Sequence, residues 1–332
     1  VLGGYYKGSS YLDLKLLAHR GPDSSGLIDL KVDRVLLAHT RLSIIDLQSR
    51  SDQPMNSICG NYIIIYNGEI YNYVELKKEL QLKGVKFVTN SDTEVVLNGY
   101  IFEGTNFFKR LNGIFAFAIY NKENKSLCLA RDSSGVKPLY IKKSSNGLIF
   151  SSEIKPILNY LKEENFVDYK ILINHLFYNF SPGKKVIFKD VNKLIPGEIY
   201  EFRGKKYIRS NYLKRFKKNN TSKNLKKNIL SEFEKILEKS ILSQTLSEAP
   251  LGAFLSGGLD SSSIVYFAKK NKPDMETFCV TGSWEKKSDK NSDLYNAKKI
   301  SKRLKLNLNV LEIDDNTFFQ NLEQVIYNLE EP

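Results

Sequence analysis

The stretch Ser256-Gly257-Gly258-Leu259-Asp260-Ser261-Ser262 constrains this chain more than any other. A short apolar run, Leu251 to Leu255, precedes it, and another, Ile264 to Ala268, follows. The first run has the length of a strand. The second, continued by Lys269 and Lys270, reads as the opening turns of a helix. The segment is therefore strand, glycine-rich turn, helix. Adjacent glycines let the main chain bend with no Cβ in the way and bring amide N–H groups close to an anion. A helix start adds unpaired N–H donors and the positive end of its dipole. Ser256, Ser261 and Ser262 add hydroxyl donors. Asp260 would repel a bound phosphate unless a cation lay between them, and Mg²⁺ prefers oxygen ligands of this kind. Serine and glycine are ordinary turn residues; the weight lies in the full seven residues placed after a strand.

The flanking pattern supports this placement. Leu225 to Leu246 carries apolar residues at helical spacing (Ile229, Phe233, Ile236, Leu237, Ile241). After the loop and its helix, 261–270, come a strand over Glu276–Val280, a helix over Leu294–Leu304, a strand over Leu308–Ile313 and a helix over Thr317–Leu329. Strands alternating with helices predict a parallel α/β sheet. Ligands of such sheets sit at the carboxyl ends of the strands, where the loop falls. The first half reads differently. Strands are expected at Val35–Ile45, Asn61–Tyr66, Gly113–Tyr120, Ser126–Arg131, Leu139–Lys142, Leu148–Ser151 and Ile199–Phe202. Helices are expected at Val74–Leu82, Asp92–Phe102 and Asp168–Tyr178. The four strands from Gly113 to Ser151 follow one another through short turns, which predicts a largely antiparallel sheet.

Two domains are the natural expectation for 332 residues, and a 42% hydrophobic content supports proper cores. The net charge of +13 is partly local. Lys205 to Lys227 holds ten Lys and Arg residues and no acid, and reads as a solvated linker; with no RNA- or DNA-binding motif in the body, no nucleic-acid partner is expected. The three cysteines, Cys59, Cys128 and Cys279, lie in apolar strand-like settings and are expected to be buried free thiols in a reducing compartment. No apolar run approaches the roughly 20 residues that span a bilayer, and no signal peptide opens the chain. A cytoplasmic protein with no membrane partner is expected. His19, His39 and His175 are far apart and read as hydrogen-bonded structural groups, not metal ligands. Val1-Leu2-Gly3-Gly4 reads as the end of a strand with no initiator Met before it, so further residues are expected on its amino side. A parallel sheet of three strands is incomplete, and more chain is expected beyond Pro332.

Polar clusters sit at strand ends in the first half: His19-Arg20-Gly21-Pro22-Asp23, His39-Thr40-Arg41-Leu42-Ser43-Ile44, Asn67-Gly68-Glu69-Ile70-Tyr71-Asn72 and Ser91-Asp92-Thr93-Glu94. An Arg and several acids at the end of a sheet can bind a zwitterion, the guanidinium gripping a carboxylate and the acids an ammonium. Asn67 with the N–H of Gly68 can form an oxyanion hole. Each cluster alone is weak.

The loop Ser256–Ser262 resembles the pyrophosphate-binding loop (PP-loop) of ATP pyrophosphatases, which cleave ATP between its α and β phosphates. HRGPDSSG, HTRLSIID, QPM, NGEIYN, SDTE, GIFAFAIY, ARDSSGVKPLY, FSSEIK and PGE, in this order, resemble the class II glutamine amidotransferase domain. With LSGGLDSS behind them, the chain resembles the glutamine-dependent asparagine synthetases along essentially its whole length. The resemblance implies an α+β sandwich of the N-terminal nucleophile (Ntn) hydrolase type, layered αββα, followed by an α/β parallel-sheet PP-loop domain incomplete at its C-terminus. The boundaries are set at 1–204 for the glutaminase domain, 205–224 for the basic linker and 225–332 for the ATP-binding domain.

The resemblance also implies roles. Arg41 would bind the α-carboxylate of glutamine, and Asp92 and Glu69 its ammonium. Asn67 and Gly68 would stabilise the oxyanion, and Leu42, Ile44 and Ile45 would line the pocket. Ser256, Gly257, Gly258, Asp260, Ser261 and Ser262 would hold the pyrophosphate of ATP, with Asp260 on its Mg²⁺. Leu255 and Val280 would contact the adenosine. Asp293, and Glu330 or Glu331, fall near acids of the second site. The family's nucleophile is an N-terminal Cys whose own amine is the base. Cys59-Gly60 has the right dipeptide in mid-chain without a free amine, and is expected to be a buried structural thiol; the nucleophile is expected before Val1. The implied reaction hydrolyses glutamine, passes ammonia inward, adenylates the β-carboxylate of aspartate with MgATP and releases asparagine, AMP and pyrophosphate. A homodimer is compatible with it. The alternatives are an amidotransferase acting on a sugar acid or peptide carboxylate, and a non-catalytic relative.

Overall fold

The computed structural model describes residues 2–5, 13–144, 147–161, 167–203, 206–213, 229–284 and 292–330, the first of these in main chain only. By its internal contacts the chain divides into two units, Val1–Arg215 with Leu329–Pro332, and Phe216–Asn328.

The first unit contains twelve strands and four α-helices among the described residues. In chain order they are β1 (Leu2–Tyr5), β2 (Ser24–Leu30), β3 (Val35–Arg41), β4 (Met55–Asn56), β5 (Tyr62–Ile70), α1 (Tyr73–Leu82), α2 (Asp92–Glu103), β6 (Gly113–Asn121), β7 (Ser126–Arg131), β8 (Tyr140–Ser144), β9 (Gly147–Ser151), α3 (Ile154–Leu161), α4 (Tyr169–Tyr178), β10 (Val191–Lys193), β11 (Glu198–Arg203) and β12 (Lys206–Asn211). They form two six-stranded sheets, in the orders β10-β8-β9-β1-β3-β2 and β12-β11-β7-β6-β5-β4. Every strand pair in both is antiparallel. The four consecutive strands read from the sequence as one sheet are divided: β6 and β7 lie in the second sheet, β8 and β9 in the first. The segment Asp132 to Leu139 carries the chain from one sheet to the other.

Side chains alternate across a strand, and this parity builds three cores. Val35 and Leu37 of β3 meet Ile63 and Ile65 of β5, Ala116 and Ala118 of β6 and Phe150 of β9 in the core between the sheets. The opposite face of the second sheet (Ile64, Tyr66, Phe117, Cys128) packs under α1 and α2 through Leu76, Leu80 and Val95 to Leu97. The opposite face of the first sheet (Leu36, Ala38, Ile149) packs on Leu17 of a 3₁₀ turn and on Ile154 and Ile157 of α3. A fully buried Leu, Ile or Phe in such layers contributes roughly 1.5–3 kcal/mol relative to exposure. The layering is αββα.

Three local expectations are corrected. The strand expected to run to Ile45 ends at Arg41, and residues 42–45 leave the sheet as a loop. Lys206–Asn211, assigned to the linker, is strand β12, paired with β11 from Glu198↔Asn211 to Arg203↔Lys206; residues 214–228, the rest of that stretch, lie outside the described residues. Cys59, expected to be buried, is exposed, whereas Cys128 and Cys279 are buried.

The second unit contains α5 (Ile229–Ser243), β13 (Gly252–Phe254), α6 (Leu259–Asn271), β14 (Glu276–Gly282), α7 (Asp293–Leu304), β15 (Leu308–Ile313) and α8 (Asp315–Leu329). The strands form a parallel sheet in the order β13-β14-β15, each reached through a helix. One face of the sheet is covered by Ile241 of α5, Val265 and Ala268 of α6 and Ala297 of α7, packed with Leu255 and Cys279. No helix among the described residues is long and apolar enough to cross a membrane.

Candidate active site

The parity that fills the core between the sheets also builds a cavity at one end of it. On β3 the inward series Val35, Leu37 continues with His39 and Arg41; on β5 the inward series Ile63, Ile65 continues with Asn67 and Glu69. The apolar members pack against each other, and the polar members line a cavity of about 340 Å³ together with Asp92 of α2. His39 joins the two sheets there, its Nε2 lying 2.9 Å from the main-chain oxygen of Tyr66. A carbonyl only accepts, so Nε2 carries the proton. Burial lowers the His39 pKa to about 3, and the ring is neutral.

Arg41 is 7% exposed and held firmly. Its Nη1 donates to Asp52 at 2.8 Å and to the carbonyl of Gln48 at 3.1 Å; its Nη2 donates to the carbonyls of Asp46 at 2.6 Å and Ile45 at 3.3 Å. These bonds fasten the loop after β3, whose Leu42, Ile44 and Ile45 also line the cavity.

Asp92 opens α2, with Ser91 as N-cap. Its Oδ2 accepts from the Tyr66 hydroxyl at 2.7 Å and from the Ile70 N–H at 2.9 Å. Burial nevertheless raises its pKa above the ordinary value, and the same cause raises that of Glu69, against the pull of Lys137. Two carboxyls that gain from a nearby positive charge therefore face the cavity with one fixed guanidinium. Glu94, in the same sequence cluster, is used differently: it accepts from the N–H groups of Val88 and Thr89 and from the Thr89 hydroxyl at 2.6 Å. Asn67 Nδ2 is buried with no hydrogen-bond partner. An orphaned buried donor costs about 1–3 kcal/mol, which a bound acceptor can return. At the next position a Cβ would lie 2.1 Å from the Ile114 carbonyl oxygen, so only glycine fits at Gly68.

Several cavity groups escaped the sequence reading: Tyr66, which bonds Asp92; Gln53, whose Oε1 accepts from the Tyr66 N–H at 2.6 Å; and Lys137. Gln53 and Lys137 fall inside the quoted QPM and ARDSSGVKPLY segments, which is the signal that was available. The other histidines are also bonded, His19 to Glu153 at 2.7 Å and His175 to Ser181 at 3.2 Å. Among the described residues no group of three His, Cys, Asp or Glu side chains is placed to hold a metal ion.

The glycine-rich loop is described within the second unit. It follows the carboxyl end of β13, and its last four residues form the first turn of α6. Gly258 is the N-cap and no side chain caps the helix, which leaves its first N–H groups for a ligand. Gly257 has φ +78°, and a Cβ on it would lie 2.4 Å from the main-chain carbon of Asn296 in α7. Ser256 Oγ and Ser261 Oγ are 3.0 Å apart, and Ser262 Oγ is buried without a partner. Asp260 is exposed beside them. An anion cradle with an unused hydroxyl and one carboxylate fits the phosphates of ATP, and fits Mg²⁺, which keeps waters and binds through one or two carboxylates plus phosphate. Val280 is half exposed near the carboxyl end of β14, but Leu255 is 1% exposed and turns its side chain into the core, leaving only its main chain for a ligand. Asp293 is exposed in the first turn of α7. Glu330, grouped with the first unit, accepts from the N–H groups of Ile154 and Lys155 at 2.7 Å, and Glu331 lies outside the described residues.

A family model described as "Glutamine amidotransferase domain" matches residues 11–213, and one described as "Asparagine synthase" matches 232–332. The chain belongs to the glutamine-hydrolysing asparagine synthetase family. Asparagine synthetase [glutamine-hydrolyzing] 1 of Bacillus subtilis is 36% identical over 272 residues, 80% of this chain and 41% of that protein. A putative asparagine synthetase of Mycobacterium tuberculosis is 31% identical over 331 residues, 96% of this chain and 50% of that protein. The chain thus spans about half the length of the curated relatives it matches. Glutamine phosphoribosylpyrophosphate amidotransferase from B. subtilis shares the fold with a TM-score of 0.50 at 15% identity, covering 93% of this chain and 65% of that one. The first unit of this family member is an Ntn-type αββα sandwich, and its second an α/β sheet carrying the loop.

Proposed function

We propose that this chain carries the glutaminase site and the ATP-binding loop of a glutamine-dependent asparagine synthetase. The observation that carries the reading is the meeting of Arg41, Asp92, Glu69 and Asn67-Gly68 in one cavity. Arg41 takes the α-carboxylate of glutamine, and Asp92 and Glu69 its ammonium. Leu42, Ile44 and Ile45 flank it. The side-chain amide of glutamine then lies toward Asn67 Nδ2 and the Gly68 N–H, which receive the negative charge that develops on its oxygen. That contribution is worth about 2.7–4 kcal/mol per donor in comparable sites. An N-terminal cysteine thiol is the nucleophile that the family resemblance implies, and β1, paired antiparallel with β3 at Leu2↔Ala38, lies beside the strand that carries His39 and Arg41. Such a thiol would form a thioester with the glutamine acyl carbon and expel ammonia.

In the second unit Ser256, Gly257, Gly258, Ser261 and Ser262 donate to the outer phosphates of ATP. Asp260 would hold Mg²⁺, which supplies charge neutralisation on those phosphates. The main chain at Leu255 and the side chain of Val280 border the adenosine. The acceptor is the β-carboxylate of aspartate, activated as an adenylate and attacked by ammonia.

Calorimetric titration of the chain with glutamine and with MgATP tests the two sites separately. Assay of the whole gene product for glutamine-dependent AMP and pyrophosphate release, with aspartate in one arm and a uronic acid in the other, tests the acceptor. Release that requires the uronic acid, or no release at all, defeats the aspartate reading.

A further inference from the structure

Asp46 bonds to one residue that lines the cavity, Arg41, and to the segment just ahead of another, Asp92, without lining it itself. It is 3% exposed and sits in the loop after β3 with φ +49°. Its main-chain oxygen accepts from Arg41 Nη2 at 2.6 Å. Its carboxylate accepts from the N–H of Asn90 at 2.7 Å and from Arg50 Nε at 3.0 Å. Asn90 lies two positions before Asp92, immediately ahead of the residue that caps α2. One residue therefore ties the guanidinium of Arg41, through its carbonyl, to the segment that aims Asp92, through its carboxylate. Of the other ties, those from Arg41 to Ile45, Gln48 and Asp52 stay within the loop, Ser43 N–H and Asp52 reach Asp23 and Ser24 at the start of β2, and Gln53 Nε2 makes a longer bond, 3.4 Å, to the Thr93 hydroxyl of α2.

We infer that Asp46 is a positioning residue that fixes the separation of Arg41 and Asp92, and so selects ligands bearing a carboxylate and an ammonium on the same carbon. The inference rests on the glutamine reading of the cavity. Both groups of an α-carbon are gripped together only when the guanidinium and the carboxylate stand at a matching distance, and an error of about 1 Å in such a pair is expensive. A ligand with only one of the two groups is indifferent to that distance. Asp46 thereby governs preference between ligands more than affinity for any one.

The test uses the whole chain and calorimetric titration with glutamine and with 4-carbamoylbutanoate, which lacks the ammonium. Asp46→Gly removes the carboxylate at a left-handed position that glycine tolerates. It is expected to weaken glutamine by about 10-fold or more and 4-carbamoylbutanoate by less than about 3-fold. Asp46→Asn keeps an acceptor for the Asn90 N–H and suits the same backbone; it is expected to hold the preference within about 3-fold of wild type. Equal losses for both ligands in Asp46→Gly, or no loss of glutamine, overturn the inference. If Asp46→Gly does not fold, Asp46→Asn decides: a retained preference supports the positioning role and a collapsed one overturns it. A wild-type chain that binds 4-carbamoylbutanoate as well as glutamine overturns the inference alone, whereas one that binds neither overturns the glutamine reading with it.

Discussion

The hydroxyl of Tyr66 donates to Asp92 Oδ2 across 2.7 Å in a wall where both residues are buried. The phenol stays neutral, since burial drives its pKa well above the ordinary value. Two donors hold Oδ2 and the Ser91 hydroxyl lies 3.5 Å from Oδ1, and the carboxyl still has a raised pKa, so desolvation outweighs them. The folded protein holds the Asp92 proton more tightly than the unfolded chain does. The native state gains from that below the ordinary Asp pKa and loses the gain as pH rises through the folded value. At neutral pH the buried carboxylate is a net cost. Asp92→Asn should therefore raise the melting temperature at pH 7.5, with the difference shrinking toward pH 4. It should also abolish glutamine binding. A lower melting temperature at pH 7.5 would show that hydrogen bonding, not desolvation, dominates at this residue.

Asn67 and Ser262 are two orphaned polar groups in two different units. Neither should support the fold. Asn67→Ala and Ser262→Ala are expected to leave stability within about 1 kcal/mol of wild type or to raise it. Asn67→Ala should reduce glutamine turnover by the whole gene product by roughly 10²–10³-fold, and Ser262→Ala should weaken MgATP binding. Thermal melts and steady-state kinetics check both halves. A large loss of stability in either variant would mean that its polar atom has a structural partner.

The two glycines of the loop should respond differently to alanine. At Gly257 the backbone is left-handed and the space is filled by α7. Gly257→Ala should cost roughly 1–3 kcal/mol from overpacking, with strain added. At Gly258, φ is −66° and the nearest atom to a Cβ is Ser256 Oγ at 3.4 Å. Gly258→Ala should change stability by no more than about 1 kcal/mol. Denaturant melts of the pair give the comparison, and equal costs would contradict the packing of α7 against the loop.

Cys59 should be the reactive thiol of the three. It is exposed, and the hydroxyl of Ser57, 3.2 Å from its sulfur, lowers its pKa. Burial raises that of Cys128. Iodoacetamide at pH 8 should modify Cys59 well ahead of the other two, and Ser57→Ala should slow it. Mass spectrometry of partly alkylated protein reads the order, and early labelling of Cys128 would refute it.

Much of the architecture was legible because burial imposes a period. The runs of consecutive buried residues in Tyr62–Ile70 and Gly113–Asn121 mark strands that face a core on both sides. Which sheet a strand joins was not legible: β7 and β8 are neighbours in sequence yet lie in different sheets, because a segment of eight residues is long enough to cross the sandwich. Lys206–Asn211 was hidden by its charges. It is an edge strand, exposed along most of its length, and edge strands commonly carry lysine for that reason. In the site, the groups that face the ligand could be read as chemistry in short motifs. Tyr66 and Asp46 could not, since they act across 26 and 44 positions through contacts that only the fold creates.

The gap between the two sheets is a single space, filled with hydrocarbon along most of its length and with charge at its end. Ile65 and Asn67 are successive inward residues of the same strand, as are Leu37 and His39. A methyl group lost deep in the sandwich is thus free to register at the mouth as a shifted donor. Selection on the chemistry and selection on the packing act on the same few ångströms, and neither is free to drift without the other.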